Sequence, residues 1–282
     1  MTLSLGKSEF IEKFIGDQSF RFVKDDLLDI DAMRKACTGH DVVFHMAANS
    51  DISHGARVTD VDLTQGTIAT YIVLESMRVN GIGEIVFAST SAIYGEPAVV
   101  PTPEDYGPLL PISLYGASKL ACEGLVSAFC HNFGMRSWIF RFGNIAGVNA
   151  THGVMYDFLR KLRETPQSLE VLGDGNQSKP YLHVSECVEG MLHGYTNSSD
   201  TVNLFNLACE GGSSVRSIAE TVVRELGLKE VEIRFTGGRR GWKGDVPYVR
   251  LEPAKMTNIG WKARFASDEA VSLAVRELLV QV

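Results

Sequence analysis

The stretch Ser113-Leu-Tyr-Gly-Ala-Ser-Lys-Leu-Ala-Cys-Glu123 decides how the rest of the chain is interpreted. The spacing of Tyr115 and Lys119 places a phenol and an ammonium on the same face of a helix. This helix is predicted to begin after Ser113, a typical N-cap residue, and to end before Gly134, which suits a left-handed C-terminal cap. A tyrosine in water loses its proton only near pH ~10, so a tyrosine base at neutral pH needs a neighbouring cation. Lys119 is predicted to be that cation.

Apolar residues recur through this helix at intervals of three and four positions, as they do on a face that packs against a protein interior. That face is predicted to consist of Ala117, Leu120, Ala121, Leu125, Ala128, Phe129 and Phe133. The tyrosine–lysine spacing alone is weak evidence of function. With 8 tyrosines among 282 residues, a chance match has a probability of roughly one in three. A function has to be argued from a second feature.

That second feature lies upstream, where Glu84–Thr90 is an apolar run that ends in hydroxyl groups. The run is typical of a buried strand. A strand end followed by a helix that carries Tyr115 and Lys119 lies where an open α/β sheet places its ligand crevice. Five prolines between Tyr94 and Ser113 predict a stiff cover over this crevice.

Strand and helix patterns alternate along the chain, which predicts an α/β fold with a parallel sheet. A second lobe is predicted to be woven from the C-terminal half, because the pattern loosens after a polar loop at 143–147. The predicted strands are Phe20–Lys24, Asp41–Ala48, Glu84–Thr90, Met135–Phe142, Tyr181–Val184 and Val202–Leu207. The predicted helices, besides the central one, are residues 8–15, Asp29–Cys37, Gly66–Val79 with Ile68, Ile72 and Met77 buried, Val154–Glu164, Ser185–Tyr195, Ser214–Leu226 and Ser267–Leu279.

Composition excludes some classes of function. A formal charge of -7 argues against nucleic acid or an anionic membrane as a bulk partner. The 5 cysteines are odd in number and form no C-x-x-C pair, so neither a disulfide framework nor a metal site is indicated. The chain shows no signal peptide and no apolar run near the ~20 residues that span a bilayer, so we expect it in the cytoplasm.

With these residues in hand, the chain resembles an extended short-chain dehydrogenase/reductase of the nucleotide-sugar epimerase/dehydratase family, and is most similar to members of the UDP-glucose 4-epimerase type. The resemblance runs from Leu3 onward. Each motif is weak alone, but together they are specific because all occur in family order. They are Asp26–Asp29, His45–Ala48, Ser89–Gly95, Tyr115–Lys119, Arg141–Asn144, Leu172–Gly175 and Gly244–Val246.

The resemblance implies roles for three catalytic residues. Tyr115 would be the acid/base, and Lys119 would bind the nicotinamide ribose of NAD while favouring the phenolate. Thr90 would hydrogen-bond the sugar hydroxyl that is oxidised. A plainer interpretation of Thr90 is that it only satisfies the end of a strand.

The resemblance also implies binding residues for the cofactor and the nucleotide sugar. Asp26 and Leu27 would meet the adenine of NAD, and Ala47 and Ala48 would form the turn that passes the cofactor. Phe142 is also assigned to the cofactor-binding residues, although a phenylalanine at this position more typically packs against other side chains. Substrate contacts would come from Asn144, Lys179 and one of Arg239 or Arg240. Asp26 could instead only cap a helix, Lys179 or Arg239 could be solvated surface charges, and His45 is interpreted as a structural histidine.

Within this family the implied reaction is epimerisation at C4 of a nucleotide-diphosphate sugar, of the UDP-glucose/UDP-galactose type, through a 4-keto intermediate with tightly bound NAD. Dehydratases of the family need an acid pair directly after the threonine, where this chain has Ser91 and Ala92. Two alternatives remain: an NAD(P)-dependent sugar-nucleotide reductase of the same fold, and a truncated, catalytically impaired relative. The resemblance further implies a homodimer that pairs the helices Gly66–Val79 and Tyr115–Phe133.

The family pattern begins with a strand, a Gly-x-x-Gly-x-x-Gly turn, a helix and a second strand, none of which this sequence shows. We therefore expect a Rossmann-like parallel sheet that lacks its first βαβ unit, a strand at Phe20–Val23 that re-pairs or hangs loose, and weak NAD binding. A sequence that begins at an internal methionine would explain why the first βαβ unit is missing. The dinucleotide-binding part is predicted to be residues 1–148 with about 182–207, and the smaller α/β substrate lobe about 149–181 with 208–282.

Overall fold

A computed structural model describes residues 6–242 and 244–281, so the start of the resemblance at Leu3 lies outside the described residues. None of the described helices is long and apolar enough to cross a membrane. The helices are α1 (Ile30–Cys37), α2 (Ile52–Gly55), α3 (Ala69–Asn80), α4 (Leu114–Phe133), α5 (Val154–Glu164), α6 (Val184–Thr196), α7 (Val215–Glu225), α8 (Ala254–Asn258) and α9 (Ser267–Gln281). The strands are β1 (Val42–His45), β2 (Glu84–Thr90), β3 (Arg136–Phe142), β4 (Asn144–Ala146), β5 (Ser168–Val171), β6 (Ser178–Lys179), β7 (Tyr181–His183), β8 (Val202–Leu207), β9 (Ser213–Ser214) and β10 (Glu232–Phe235).

The central sheet is parallel and has the strand order β1-β2-β3-β8. Its register sets Thr90 opposite Phe142 and Phe142 opposite Leu207, so β2, β3 and β8 end at the same edge. Parallel strands need crossover connections, and the helices that supply them cover both faces of the sheet. The predicted α/β class with a parallel sheet is confirmed, and the loops that follow these strand ends meet at one edge.

Apolar side chains form separate clusters around this sheet. On one face α3 and α4 pack against β2 and β3, with Met77, Phe87 and Val126 among the buried residues. On the other face α6 and α8 pack against β3 and β8. A further cluster joins α5, α7 and α9 around β5, away from the central sheet.

The predicted strand at Phe20–Lys24 is wrong, because these residues are irregular in the structure. A strand is stable only when its backbone groups pair with a neighbour, and within the described residues no strand lies beside this segment. The same lack of a neighbour makes β1 an edge strand instead of the buried strand that its apolar sequence predicts. Phe44 is accordingly 42% exposed.

The helix α4 has the predicted ends but not the predicted buried face. Ser113 Oγ accepts the backbone N–H of Gly116 at 3.1 Å, and Gly134 follows the helix with φ of +67°. The buried residues are Gly116, Ser118, Lys119, Cys122, Glu123, Val126 and Cys130, while the predicted Ala117, Ala121, Ala128 and Phe133 are exposed. The prediction fails because it scores polar residues as outward-facing, whereas buried polar groups are tolerated when they are hydrogen-bonded.

Two further segments differ from the sequence patterns. The helix predicted from Gly66 begins as a π-helix at Leu63–Ile68 and continues as α3, which leaves Ile68 41% exposed instead of buried. The predicted polar loop at 143–147 contains β4, which pairs with β7. Several elements of two to five residues were not predicted, because such short segments carry little readable periodicity; they are β6, β9, β10, α2 and α8.

Candidate active site

The end of β2 and the first turn of α4 lie against each other. Thr90 Oγ1 accepts the backbone N–H of Ala92 at 3.1 Å and so caps a 3₁₀ turn at Ser91–Tyr94. The first turn of α4 packs on this 3₁₀ turn through Gly116, where a Cβ atom would stand 2.6 Å from the carbonyl oxygen of Ala92. Glycine at this position therefore allows Tyr115 to lie beside Thr90.

Burial controls the protonation of Tyr115. It raises the pKa of the phenol to about 12, although the Thr90 hydroxyl acts to lower that pKa. The charges of Asp62 and Cys122 raise the pKa further. The neutral phenol is therefore the favoured form in this structure. Stabilisation of the phenolate by Lys119 stays a prediction.

Lys119 is the second buried group of the site, with 3% of its surface exposed. Its Nζ atom donates a hydrogen bond of 2.6 Å to the carbonyl oxygen of Ala88 and lies 4.7 Å from the ring centroid of Phe87. Burial lowers the pKa of Lys119 to about 8, and the charges of Cys122 and Glu123 act in the opposite direction. The ammonium is directed to the backbone of β2.

A third wall of the site comes from the π-helix and the residues before it. Ser118, next to Lys119, donates a hydrogen bond of 2.6 Å to the carbonyl oxygen of Asp62. The Asp62 carboxyl is buried, accepts a hydrogen bond of 3.0 Å from Asn49, and has its pKa raised by that burial. A Cβ atom on Gly66 would stand 2.2 Å from Ser118 Oγ, so a glycine lets the π-helix approach α4.

The residues predicted to meet the cofactor lie just before α1 and directly after β1. Asp26 is exposed, and its Oδ1 accepts the backbone N–H of Leu28 at 3.0 Å in the turn before α1. Asp29, and not Asp26, is the N-cap of α1, so the plainer interpretation of Asp26 as a helix cap is wrong. Leu27 packs against the cluster between the sheet and α3. Ala47 and Ala48 are half-buried in the turn that follows β1.

Two predicted residues follow β3. Phe142, the last residue of β3, is half-buried and packs against the cluster on the α6 face, so packing accounts for it. Asn144 opens β4, donates its backbone N–H to the Pro180 carbonyl at 3.0 Å, and its side chain meets the phenol of Tyr181. Burial raises the pKa of that phenol to about 12, so Asn144 faces a neutral hydroxyl.

Two of the basic residues predicted to hold a diphosphate, Lys179 and Arg240, form a cluster around Asp245. Lys179 Nζ donates to Asp245 Oδ1 at 2.6 Å and lies 5.0 Å from the ring centroid of Trp242. Arg240 donates to the Asp245 carbonyl oxygen and to both carboxylate oxygens of Glu96, at 2.9 and 3.0 Å. The cluster therefore joins the segment after β2 to the C-terminal part of the chain.

Arg239 lies apart from that cluster. It is exposed and lines a cavity of about 160 Å³ together with Asp174 and Tyr248. The structure thus separates two neighbouring arginines that the sequence left as alternatives. Arg240 is the one that shares a partner with Lys179.

The sequence analysis missed two acidic residues at the site. Glu96 is recognisable only through its ion pair with Arg240, which lies 144 positions away along the chain. Asp62 was missed because no motif marks it, although the glycines Gly55 and Gly66 around it are a signal of close approach. Both identifications depend on tertiary contacts.

Known proteins resemble this chain over most of its length. A family model described as "NAD dependent epimerase/dehydratase family" matches residues 5–208. UDP-glucose 4-epimerase of Streptomyces lividans is 30% identical over 268 residues, which cover 89% of this chain and 80% of that protein.

Solved structures of epimerases also resemble this chain over most of its length. A crystal structure of a UDP-galactose 4-epimerase is 35% identical, with a TM-score of 0.87, and the match covers 99% of this chain and 89% of that chain. A crystal structure of UDP-glucose 4-epimerase from Thermotoga maritima with UDP-glucose is 26% identical, with a TM-score of 0.86 and the same coverage of both chains.

Proposed function

Because the chain belongs to the NAD-dependent epimerase/dehydratase family, we propose that it interconverts the C4 epimers of a UDP-hexose, UDP-glucose and UDP-galactose, through a 4-keto intermediate. The observation that carries this proposal is the meeting of Thr90, Tyr115 and Lys119 where β2 ends and α4 begins. A hydroxyl, a phenol and an ammonium at one sheet edge form a site for proton movement at a sugar hydroxyl.

Epimerisation is favoured over dehydration by the residues after Thr90. Loss of water from a sugar needs a group that donates a proton to the departing hydroxyl. Ser91 and Ala92 occupy these positions, and both belong to the 3₁₀ turn that packs against α4. A serine hydroxyl is a poor acid and alanine has no proton to give, so neither residue can supply the proton that dehydration needs.

The residues present fit one end of NAD. Lys119 supplies a buried ammonium, Tyr115 and Thr90 supply hydroxyl groups, and the small side chains of Ala47 and Ala48 leave the backbone after β1 accessible. We propose Asp26 and Leu27 for the adenine end. NAD, when bound, supplies the acceptor and donor of the hydride. Within the described residues no glycine-rich turn opens a helix beside the sheet, so diphosphate contacts of the usual kind are not provided by this part of the chain.

The side chains of this chain then have distinct tasks. Tyr115 takes the proton of the C4 hydroxyl and returns it, and Thr90 holds that hydroxyl by a hydrogen bond. Lys119 keeps a positive charge at the floor of the site. Because burial favours the neutral phenol, the pKa of Tyr115 has to fall before the tyrosine acts as a base. We propose that Lys179, Arg240 and Asn144 hold the nucleotide diphosphate while the keto sugar turns over.

We also propose how the chain is divided, how two copies pair and where the protein is located. Residues 1–148 with about 182–207 form the dinucleotide-binding part and the remainder the substrate lobe, supported by the separate apolar cluster around α5, α7 and α9. Two copies pair through α3 and α4, supported by the exposed Tyr71, Val79 and Phe133 on these helices. The cytoplasm is the proposed location, supported by five cysteines that are all free and buried.

The test is an assay of the purified chain with NAD and either UDP-glucose or UDP-galactose, followed by separation of the two sugars. We expect each sugar to be converted into a mixture of both without build-up of NADH. Tyr115→Phe removes the proton-carrying group and should lower the rate at least about a hundredfold. Thr90→Val should reduce it while Thr90→Ser keeps most of it. Binding of both sugars without any conversion in the presence of saturating NAD would overturn the proposal.

A catalytically impaired relative is the second candidate, and the open edge of β1 favours it. No described strand covers this edge, and Phe44 beside it is 42% exposed. Since NAD lies across the strand ends of such sheets, an open edge is expected to weaken its binding. Titration of the chain with NAD separates the two candidates, because weak binding with slow turnover supports the second.

A further inference from the structure

A buried ion pair lies directly beneath the candidate catalytic residues. Arg141 of β3 and Glu123 of α4 are 4% and 7% exposed. The guanidinium donates two parallel hydrogen bonds to the carboxylate, Nε to Oε1 at 3.0 Å and Nη2 to Oε2 at 2.7 Å. This two-pronged geometry fixes the orientation of both side chains.

The same pair holds three other segments of the site. Ser89 of β2 donates its hydroxyl to Glu123 Oε1 at 2.5 Å. Arg141 Nη1 donates to the hydroxyl of Tyr94, in the 3₁₀ turn, and to the carbonyl oxygen of Glu104, in the proline-containing loop, both at 2.8 Å. One guanidinium therefore connects β3, α4, the turn after β2 and the loop that covers the crevice.

Stability alone is a poor explanation for such a pair. Removing two charges from water costs several kcal/mol, and well-packed apolar residues of similar volume often stabilise a protein as well or better. The position of the pair suggests another purpose. Ser89 stands between Ala88, which accepts the hydrogen bond of Lys119, and Thr90, while Glu123 lies one helical turn after Lys119.

We propose that Glu123 and Arg141 are positioning residues of the reaction: their buried ion pair fastens α4 to the carboxyl ends of β2 and β3, and thereby holds Lys119 and Tyr115 in place against Thr90. The catalytic part of this inference rests on the proposed function. The part that concerns the charge and position of Lys119 does not, so the two parts can be tested separately.

The surroundings of both groups determine the expected pH effects. Lys119 is faced by Cys122 and Glu123 from its own helix and by His45 from β1. Arg141 is faced by Glu123, Tyr94 and Glu104. Among the groups around Lys119, Glu123 is a carboxylate one helical turn away, so its removal should disfavour the charged form of Lys119.

The first measurement is the titration of Lys119 in protein labelled with ¹³C-lysine, without cofactor or substrate, with Lys119→Arg used to assign the signal. We expect Glu123→Gln to shift this titration downward by about one pH unit, because the neighbouring negative charge is lost. Arg136→Gln is the control, since Arg136 of β3 pairs with Glu84 of β2 at the other end of these strands from Arg141 and Ser89. It should leave the Lys119 titration unchanged.

The second measurement is epimerase activity as a function of pH. Glu123→Gln should lower kcat by about tenfold to a hundredfold with less than about a threefold change in KM, because misplaced reacting groups affect the chemical step more than binding. Arg141→Lys keeps the charge but loses the paired hydrogen bonds, and should show a similar loss. If Glu123→Gln fails to fold, the double variant Glu123→Met/Arg141→Met tests the same titration without an unpaired buried charge.

An unchanged Lys119 titration together with an unchanged kcat in folded Glu123→Gln or in the double variant would overturn the inference. An equal loss of kcat in Arg136→Gln would also overturn the inference, because an ion pair elsewhere in the sheet would then have the same effect. If the parent chain does not epimerise UDP-sugars at all, the proposed function fails, while the Lys119 titration in Glu123→Met/Arg141→Met, which removes both charges of the pair together, still decides whether Glu123 and Arg141 position Lys119.

Discussion

Burial favours the neutral form of both Tyr115 and Lys119. The pKa of the phenol rises to about 12 and that of the ammonium falls to about 8, with burial as the first cause of each shift. The spacing of these residues could be read from the sequence, because it follows from helix geometry alone. Their protonation could not, because it depends on Ala88, Asp62 and Thr90, which reach the site from other segments.

His45 gives a residue-scale prediction for acid stability. Burial and the charge of Lys119 lower its pKa from 6.5 to about 3, so the unfolded chain takes up a proton first as the pH falls. Stability contributed by neutral His45 is therefore present above pH ~6.5 and is lost below it, by about 2 kcal/mol at pH ~5. We expect His45→Gln to lose less stability between pH ~7 and pH ~5 than the parent chain.

Urea unfolding at several pH values measures this difference. His131→Gln, which changes an exposed histidine at the end of α4, is the control and should follow the parent chain. Equal acid sensitivity of His45→Gln and the parent chain would show that His45 does not carry this effect.

At the scale of elements, α4 shows what periodicity can and cannot predict. Its ends follow from Ser113 and Gly134, whose capping preferences are local properties of the chain. Its buried face cannot be predicted from such local properties. Lys119 and Glu123 are tolerated inside because they form hydrogen bonds with partners on β2 and β3. A hydrophobicity pattern contains no information about such partners.

Two glycines on α4 give a matched prediction. A Cβ atom on Gly116 would stand 2.6 Å from the backbone oxygen of Ala92, whereas Gly124 has no atom within 4 Å of its Cβ position. We expect Gly116→Ala to destabilise the fold by about 1–3 kcal/mol and to reduce turnover at least about tenfold, because α4 must move away from the turn after Thr90. Gly124→Ala should stabilise the fold by about 0.5–1 kcal/mol and leave turnover unchanged.

Unfolding midpoints and kcat of the two variants provide the check. A Gly116→Ala variant as active as Gly124→Ala would mean that the contact between α4 and the 3₁₀ turn does not place Tyr115.

At the scale of the whole molecule, the order of strands and helices was predictable but their long-range partners were not. Apolar runs such as Glu84–Thr90 and Val202–Leu207 are readable because a buried parallel strand is apolar throughout. The irregular Phe20–Lys24 has an equally suitable sequence, and it fails to form a strand because the described chain offers it no neighbour. The contact of Glu96 with Arg240 joins distant segments and leaves no trace in the sequence.

That contact supports a prediction about substrate affinity. Both carboxylate oxygens of Glu96 accept hydrogen bonds from the guanidinium of Arg240, the group we propose for the diphosphate. Arg240→Ala should raise the KM for the nucleotide sugar at least about tenfold, since a charge-assisted hydrogen bond is lost. Glu96→Gln should lower the KM by about threefold, because the arginine no longer has a competing carboxylate.

Calorimetric titration with UDP separates binding from turnover in these variants. Arg239→Ala should have a smaller effect than Arg240→Ala, as Arg239 lies on a different cavity. A larger loss of UDP affinity in Arg239→Ala would show that Arg239, and not Arg240, holds the diphosphate.

The most direct test of the proposed reaction is conversion of UDP-galactose by the chain and NAD in deuterated water, with the product examined by NMR. We predict that UDP-glucose forms with ordinary hydrogen at C4 and without NADH build-up, because the hydride leaves and returns within one site while Tyr115 exchanges only the hydroxyl proton. Deuterium at C4 of the product, steady accumulation of NADH, or no conversion with NAD bound would contradict the proposed 4-epimerase mechanism.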